Sequence, residues 1–228
     1  PEEIKKMQLA QDIADAAYAH VIGQMTPNMT EIEVAAELEY FMRKNGASAL
    51  AFETIAVSGK KSSLPHGVPQ ARKLEKGFLT MDFGCVYGGY CSDMTRTVFL
   101  GEVSEKGREI YEIVKEAERR GIEAAKPGNR MCDVDNACRD YITEMGYGPY
   151  FTHRTGHSIG MEDHEFGDVS SVNTDIIKPG QCFSVEPGIY LMDEGIGVRI
   201  EDIVLITEDG CEVLNNFTKD LIVVPMED

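Results

Sequence analysis

The sequence repeats itself after about 100 residues, and this repeat constrains the fold more than any other feature. In each half a Pro, a Val and a Gly mark the start, middle and end of a predicted helix: Pro27, Val34 and Gly46, then Pro127, Val134 and Gly146. Two acids follow in strand-like segments of each half, Asp82 and Asp93 and then Glu186 and Glu201, at offsets of 104 and 108. Because there are only two copies, one supersecondary unit is used twice and the chain is not a solenoid.

Helical patterns open the first half. Small and apolar residues at helical spacing after "PEE" predict a helix over 3–24. Thr30 and Glu33 form a capping box, which predicts a second helix that stops at Gly46. We interpret His20, near the end of the first helix, as a packed or exposed helix residue without a catalytic role.

Each half therefore predicts two helices and a pair of antiparallel strands. Packing two such halves by pseudo-twofold symmetry gives an α+β fold around a curved, mostly antiparallel sheet. We expect a single domain over 1–228, with the halves at about 1–103 and 104–228. The hydrophobic content of 43% is enough for a sizeable core in one or two compact units.

Charge and composition exclude several classes of function. The net charge of −17 would repel phosphate backbones, so no nucleic-acid partner is expected. No run of about 18 apolar residues occurs, so no membrane partner is expected either. The six cysteines lack CxxC spacing and lie in apolar-periodic segments, which is typical of reduced thiols in a cytoplasmic protein.

The first pair of acids lies on one face of a predicted hairpin. Alternation along the strand puts Asp82 on the same face as Phe78 and Thr80. A two-residue turn at 87–88 would set Asp82 opposite Asp93, whereas a turn at 88–89 would make them diagonal neighbours. Both registers leave the two carboxylates on one face.

Four carboxylates that converge across a pseudo-twofold axis need positive charge between them. Like charges that face each other in a sheet are destabilising unless a cation or a shared proton separates them. For any one acid alone, a salt bridge at a strand end would be the simpler interpretation. Because both halves repeat the pattern among apolar strand residues, we interpret Asp82, Asp93, Glu186 and Glu201 as ligands of two divalent metal ions.

The segment "THRTGHSIGMEDHEF" holds three of the five histidines, His153, His157 and His164. His157 stands between Gly156 and Gly160, which allow a close backbone approach, so we predict it as the single nitrogen ligand. Mostly oxygen ligands with one imidazole suit Mn²⁺ best, with Co²⁺, Fe²⁺ or Zn²⁺ as alternatives.

Taken together, the pattern resembles the five-ligand set of the pita-bread metallopeptidases over essentially the whole chain. The matching residues are Asp82, Asp93, His157, Glu186 and Glu201. "SDMTRT", "VEPGIY" and "VRIED" are more similar to the Xaa-Pro dipeptidase and aminopeptidase P branch than to methionine aminopeptidases, which usually carry glutamine where Arg199 stands. The resemblance implies a pita-bread catalytic domain that uses two metal ions to hydrolyse short proline-containing peptides.

The resemblance also implies roles for the other histidines. His66, in "SLPHGVP", matches a substrate-site histidine, and His164 matches the histidine that steadies the scissile carbonyl and the intermediate. His153 matches a substrate-pocket residue, with a purely structural role as the alternative.

Glu186 would both hold a metal ion and accept the proton of the attacking water. Arg199, two residues before Glu201, points toward the metal region and either anchors a substrate carboxylate or neutralises local charge. The neighbouring Asp202 points to the opposite face, where a structural role is expected.

Several alternatives remain at this point. Methionine aminopeptidase is one, and a creatinase-like hydrolase without metal is disfavoured because all five ligands are intact. A metal-free pita-bread binding module is less favoured for the same reason. The abrupt start "PEEIKKMQLA" predicts a catalytic domain cut from a longer protein. The resemblance implies that the missing part is an N-terminal domain and that the full-length protein is a homodimer. Removal of an initiator Met before Pro1 is the alternative.

Overall fold

The computed structural model describes residues 1–226. Within this range the four α-helices form two pairs, as the repeat predicts: α1 (Glu2–Gln24), α2 (Glu31–Lys44), α3 (Glu105–Ala124) and α4 (Met131–Glu144). The first helix begins one residue before the predicted start, and the second ends just before Gly46.

The second helix of each pair starts and stops by the same local chemistry. Thr30 Oγ1 accepts a hydrogen bond from the Glu33 amide at 3.2 Å, and Glu33 accepts one from the Thr30 amide at 2.7 Å, which confirms the capping box. In the second half the Arg130 amide donates to Asp133 at 2.8 Å. Gly46 and Gly146 follow the two helices with φ of +106° and +90°, a conformation that favours glycine.

In the first half the strands build a hairpin that carries the first pair of acids. The strands are β1 (Ala49–Leu50), β2 (Ile55–Ser58), β3 (Gly77–Phe83), β4 (Cys85–Tyr87), β5 (Tyr90–Cys91) and β6 (Met94–Leu100). Strand β3 pairs antiparallel with β2 and β6, and Asp82 lies opposite Thr95. Gly88 and Gly89 form the two-residue turn with φ of +58° and +84°. Asp93 is therefore a diagonal neighbour of Asp82, the second of the two predicted registers.

The second half supplies the other pair of acids. Its strands are β7 (Gly156–Ser158), β8 (Glu165–Val169), β9 (Cys182–Val185), β10 (Gly188–Leu191), β11 (Ile196–Arg199), β12 (Asp202–Ile206) and β13 (Cys211–Val213). Strand β9 pairs with β12 and β10 pairs with β11, with Val185 opposite Asp202 and Gly188 opposite Arg199. The same register runs through both pairings, so Glu186 and Glu201 stand opposite each other between them.

Each helix pair covers its own part of the sheet. Leu79, Met81 and Phe83 of β3 lie in a buried cluster with residues of α1 and α2, and Phe183 and Val185 of β9 lie in one with α3 and α4. Burying these faces leaves the opposite face of the strands, which bears the acids, free to form a site.

The two halves join along β6. The Glu201 amide donates to the Thr95 carbonyl oxygen at 3.2 Å, and Thr97 Oγ1 donates to the Arg199 carbonyl oxygen at 2.8 Å. A last strand, β14 (Val223–Val224), pairs parallel with β6, so the end of the second half completes the sheet of the first. The other strand pairs within 1–226 are antiparallel, as expected. None of the helices described is long and apolar enough to cross a membrane.

Candidate metal centre

A cavity of about 420 Å³ lies where the two halves meet, and all nine predicted site residues line it. They are His66, Asp82, Asp93, His153, His157, His164, Glu186, Arg199 and Glu201. The fold thus brings residues from both repeats and from the histidine-rich segment to one place.

The acids and His157 are spaced as ligands of shared cations would be. His157 Nε2 lies 3.4 Å from Asp93 Oδ2 and 3.5 Å from Glu186 Oε1. Two ligand atoms each about 2.1 Å from one ion are separated by roughly 3.0–3.5 Å in octahedral or tetrahedral geometry. The closely spaced donors form three overlapping groups, each with ligand atoms within 4.8 Å of one another: Asp82, Asp93 and Glu201; His157, Glu186 and Glu201; and Asp93, His157 and Asp163.

Four carboxylate oxygens in this cavity are buried and have no hydrogen-bond partner among the described residues. They are Asp82 Oδ1, Asp93 Oδ1, Asp163 Oδ1 and Glu201 Oε1. A buried carboxylate oxygen without a donor is costly, because it has lost water and gained nothing in exchange. The donor set therefore fits divalent cations, which would satisfy these oxygens directly.

Electrostatics support the same assignment. Burial, reinforced by Glu201, raises the pKa of Asp93 well above its usual value, and burial raises the pKa of Glu186 to about 7. Burial, with repulsion from Glu186, also raises the pKa of Glu201. These carboxylates would hold protons unless cations replaced them. Burial lowers the pKa of His157 to about 4, which keeps the imidazole in the neutral form that binds metals.

Arg199 is buried, and each of its three guanidinium nitrogens donates to a group of the protein. Its Nη2 donates to Asp82 Oδ2 at 2.6 Å, its Nε donates to Thr95 Oγ1 at 3.1 Å, and its Nη1 donates to the Tyr190 hydroxyl at 2.9 Å. The guanidinium thus neutralises one of the site carboxylates. Of its two predicted roles, this geometry supports charge neutralisation.

Neighbouring hydroxyls orient the ligands. Thr95 Oγ1 donates to Glu201 Oε2 at 2.6 Å, and Ser184 Oγ donates to Glu186 Oε1 at 3.0 Å. The Ser184 hydroxyl also accepts from the His157 amide at 3.0 Å. A Cβ at Gly156 would lie 1.9 Å from the Ser184 carbonyl oxygen, so the close approach predicted beside His157 depends on this glycine.

The remaining predicted histidines lie farther out. His66 is exposed, and the His164 side chain is 61% exposed with its ring centre 4.0 Å from that of His157. His153 is half-buried, and its Nδ1 contacts the Arg154 carbonyl oxygen at 2.7 Å. Because Nδ1 must donate to that carbonyl, the neutral ring accepts from the Tyr190 hydroxyl through Nε2 at 2.9 Å. Burial and the charge of Arg199 lower the pKa of His153 to about 4.

Asp202 and His20, which the sequence analysis gave no part in the metal region, lie outside it. Asp202 forms ion pairs with Arg96 and Lys219, each at 2.6 Å, on the other side of the strand. His20 contacts Glu37 at 2.6 Å and stacks on Phe41.

Sequence reasoning missed three residues that contribute to the site. Asp163 lies in the segment between His157 and His164, where its acidic side chain was the available signal. Thr95 and Tyr190 lie in strands, and the alternation of residues there does not distinguish them from other strand residues. Their roles depend on contacts across the two halves, which spacing alone does not reveal.

Comparison with known proteins places the chain among peptidases. The profile of Metallopeptidase family M24 matches residues 5–208. The chain is 46% identical over 222 residues to a Xaa-Pro dipeptidase from Pyrococcus furiosus, covering 97% of this chain and 64% of that protein. A Xaa-Pro dipeptidase structure from Bacillus anthracis is 48% identical with a TM-score of 0.95, covering 98% of this chain and 63% of that one.

An X-Pro aminopeptidase structure from Thermotoga maritima is 42% identical with a TM-score of 0.94, again covering 98% of this chain and 63% of that one. The chain thus spans less than two thirds of the length of these relatives. The likeness confirms the predicted α+β pita-bread fold. With a family match over most of its length, the chain belongs to metallopeptidase family M24.

Proposed function

We propose that this domain hydrolyses the peptide bond of Xaa-Pro dipeptides or of N-terminal Xaa-Pro peptides. It would do so with two divalent metal ions held by Asp82, Asp93, His157, Glu186 and Glu201. The observation that carries the proposal is the set of buried carboxylate oxygens that converge without partners beside His157 in one cavity. Similarity to proteins named Xaa-Pro dipeptidase supports this choice of substrate.

Two divalent cations, when bound, would supply a Lewis acid and lower the pKa of a water molecule in the cavity. Glu186 is the residue best placed to move a proton. Its Oε1 lies 3.5 Å from His157 Nε2, among the proposed metal-ligand atoms, and accepts a hydrogen bond from Ser184 Oγ at 3.0 Å. We propose that Glu186 accepts the proton of the attacking water and passes it to the leaving nitrogen, which is a poor leaving group without protonation.

The two exposed histidines of the cavity are proposed to contact the peptide. His164 would donate a hydrogen bond to the oxyanion of the tetrahedral intermediate, and His66 would orient the substrate. Both line the cavity, and both are accessible. His153 and Arg199 would shape the deeper wall through their shared contact with the Tyr190 hydroxyl.

The donor set supports Mn²⁺ as the metal, because oxygen ligands outnumber the single nitrogen. Co²⁺, Fe²⁺ and Zn²⁺ remain alternatives with the same ligands. The predicted homodimer of the full-length protein and the predicted cytoplasmic location stay predictions.

The test is hydrolysis, with Mn²⁺ added, of an Xaa-Pro dipeptide, an Xaa-Pro-Yaa tripeptide and a Met-Ala peptide side by side. Cleavage of either proline peptide well above that of Met-Ala supports the proposal, and the ratio of the first two distinguishes dipeptidase from aminopeptidase action. Preferred cleavage of Met-Ala would favour methionine aminopeptidase instead. The Glu186→Gln variant controls for a contaminating peptidase.

A further inference from the structure

Asp163 lies in the metal region although it is outside the five-residue set. Its side chain is 14% exposed, and its Oδ1 is buried without a hydrogen-bond partner among the described residues. Its Oδ2 lies 3.5 Å from Nδ1 of His164. One oxygen thus lies near the imidazole at the cavity mouth, and the other has no partner.

The position of Asp163 relative to two other donors suggests what its free oxygen binds. Asp93, His157 and Asp163 each offer an atom within 4.8 Å of the other two. The Asp93 side chain is only 5% exposed, and its Oδ1 is also without a partner. Two such carboxylates repel each other unless a cation or a shared proton lies between them, and the neutral imidazole beside them offers a nitrogen ligand to a cation.

The charge of the cavity also supports a role for Asp163 in cation binding. Arg199 pairs with Asp82 at 2.6 Å and offsets one carboxylate of the five-residue set. Three negative charges then remain to face two divalent cations. Asp163 supplies the fourth, which matches the charge of two divalent ions, while Glu53 and Arg154, which also line the cavity, carry opposite charges.

We propose that Asp163 is a sixth protein ligand of the metal centre and binds the ion held by Asp93 and His157. This inference rests on the metal centre of the proposed function. Because Asp163 also lies beside His164, it would connect the coordination of that ion to the position of the imidazole proposed to contact the oxyanion.

Calorimetric titration of the metal-free protein with Mn²⁺, and separately with Co²⁺, tests this proposal without reference to activity. The variants are Asp163→Asn, which keeps the size of the side chain, and Asp163→Ala. Glu162→Gln is the matched control, since it removes one negative charge from an exposed neighbour outside the cavity. Thermal unfolding of each metal-free variant checks the fold, and Asp163→Asn carries the test if Asp163→Ala does not fold.

We expect two ions to bind the unmodified protein and the Glu162→Gln variant alike. In both Asp163 variants one of the two dissociation constants should rise at least about tenfold. The visible spectrum of bound Co²⁺, which responds to the number and geometry of its ligands, should change as well. If two ions bind every variant with unchanged constants and spectra, Asp163 is not a ligand, although the metal centre stands. If the unmodified protein binds no ion, the proposed function fails together with this inference.

Discussion

Glu186 stands opposite Glu201 at the break between two hydrogen-bonded strand pairs of the second half. The flanking pairs are Val185 with Asp202 and Gly188 with Arg199. In the first half the equivalent acids, Asp82 and Asp93, are diagonal instead, because their hairpin turns at Gly88 and Gly89. Like charges in facing positions are stable only with positive charge between them, which is the physical basis of the proposed metal centre.

Replacing Glu186 with glutamine should abolish nearly all peptidase activity while the fold is retained. The amide keeps the size of the side chain but cannot accept a proton from water, and it is a weaker metal ligand. Turnover of an Xaa-Pro dipeptide, with circular dichroism as the check on folding, measures both effects. Unchanged turnover in a folded variant would refute the role of Glu186.

Replacing His164 with alanine should mainly lower kcat. A donor to the oxyanion acts in the transition state, so its loss should cost about 10² to 10³ in kcat with a smaller effect on KM. Steady-state kinetics with a saturating Xaa-Pro substrate separate the two constants. A rise in KM alone would show that His164 only binds the substrate.

Glu31 stabilises the fold outside the metal centre. It is fully buried and accepts hydrogen bonds from Arg72 at 2.8 Å, the Ser58 amide at 2.8 Å and Lys61 at 3.0 Å. Burial alone would raise the pKa of Glu31, but Arg72, Ser58 and Lys61 outweigh it and hold the pKa below the usual value of 4.5. The charged form therefore favours folding above that pH, and the contribution is lost as pH falls through the folded-state pKa.

We expect Glu31→Gln to lower the free energy of unfolding by about 2 kcal/mol at pH 7, since Lys61 would lose its carboxylate partner and Arg72 one of its two. The difference from the unmodified protein should shrink as the pH falls below 4.5. Urea denaturation of the metal-free protein at several pH values measures it, with exposed Glu208→Gln as the control. A difference that does not change with pH would contradict the charge-based explanation.

Gly121 allows α3 to pack closely beneath the second pair of acids. A Cβ there would lie 2.5 Å from Cys138 Sγ and 2.7 Å from Val185 Cγ1. Gly121→Ala should therefore destabilise the protein by about 1–3 kcal/mol. Gly23→Ala, in α1 with no atom within 4 Å of its Cβ position, should instead be neutral or stabilise by up to about 1 kcal/mol. Urea denaturation compares the two, and equal effects would argue against close packing at Gly121.

Much of the fold was predictable because the relevant signals are local. The capping box at Thr30 and Glu33 defines a helix start within a few residues, and strand alternation places Asp82 on the face opposite Met81 and Phe83. Because the supersecondary unit occurs twice, each of these inferences applies to both halves of the chain. Four of the five residues proposed as metal ligands could be named because each half carries two of the acids, and the fifth, His157, because it stands between two glycines in the histidine-rich segment.

The rest depends on contacts between distant segments. The sequence allowed two hairpin turns and could not choose between them, since both keep the two acids on one face. The hydrogen bonds of Arg199 to Asp82 and Thr95 join the two halves, so its surroundings were open until the fold was known. Asp163 is not one of the repeated acids, and its distance from Asp93 and His157 is what places it in the site.

Counting the metal ions bound by the purified chain tests the central claim most directly. Calorimetric titration of metal-free protein with Mn²⁺ should show two ions per protomer, because the overlapping ligand groups of the cavity leave more carboxylate oxygens without partners than one ion would satisfy. Asp93→Ala or Glu201→Ala should each abolish tight binding of at least one ion. Fewer than two ions in the unmodified protein, or full affinity for both ions in both variants, would contradict the dinuclear metal centre.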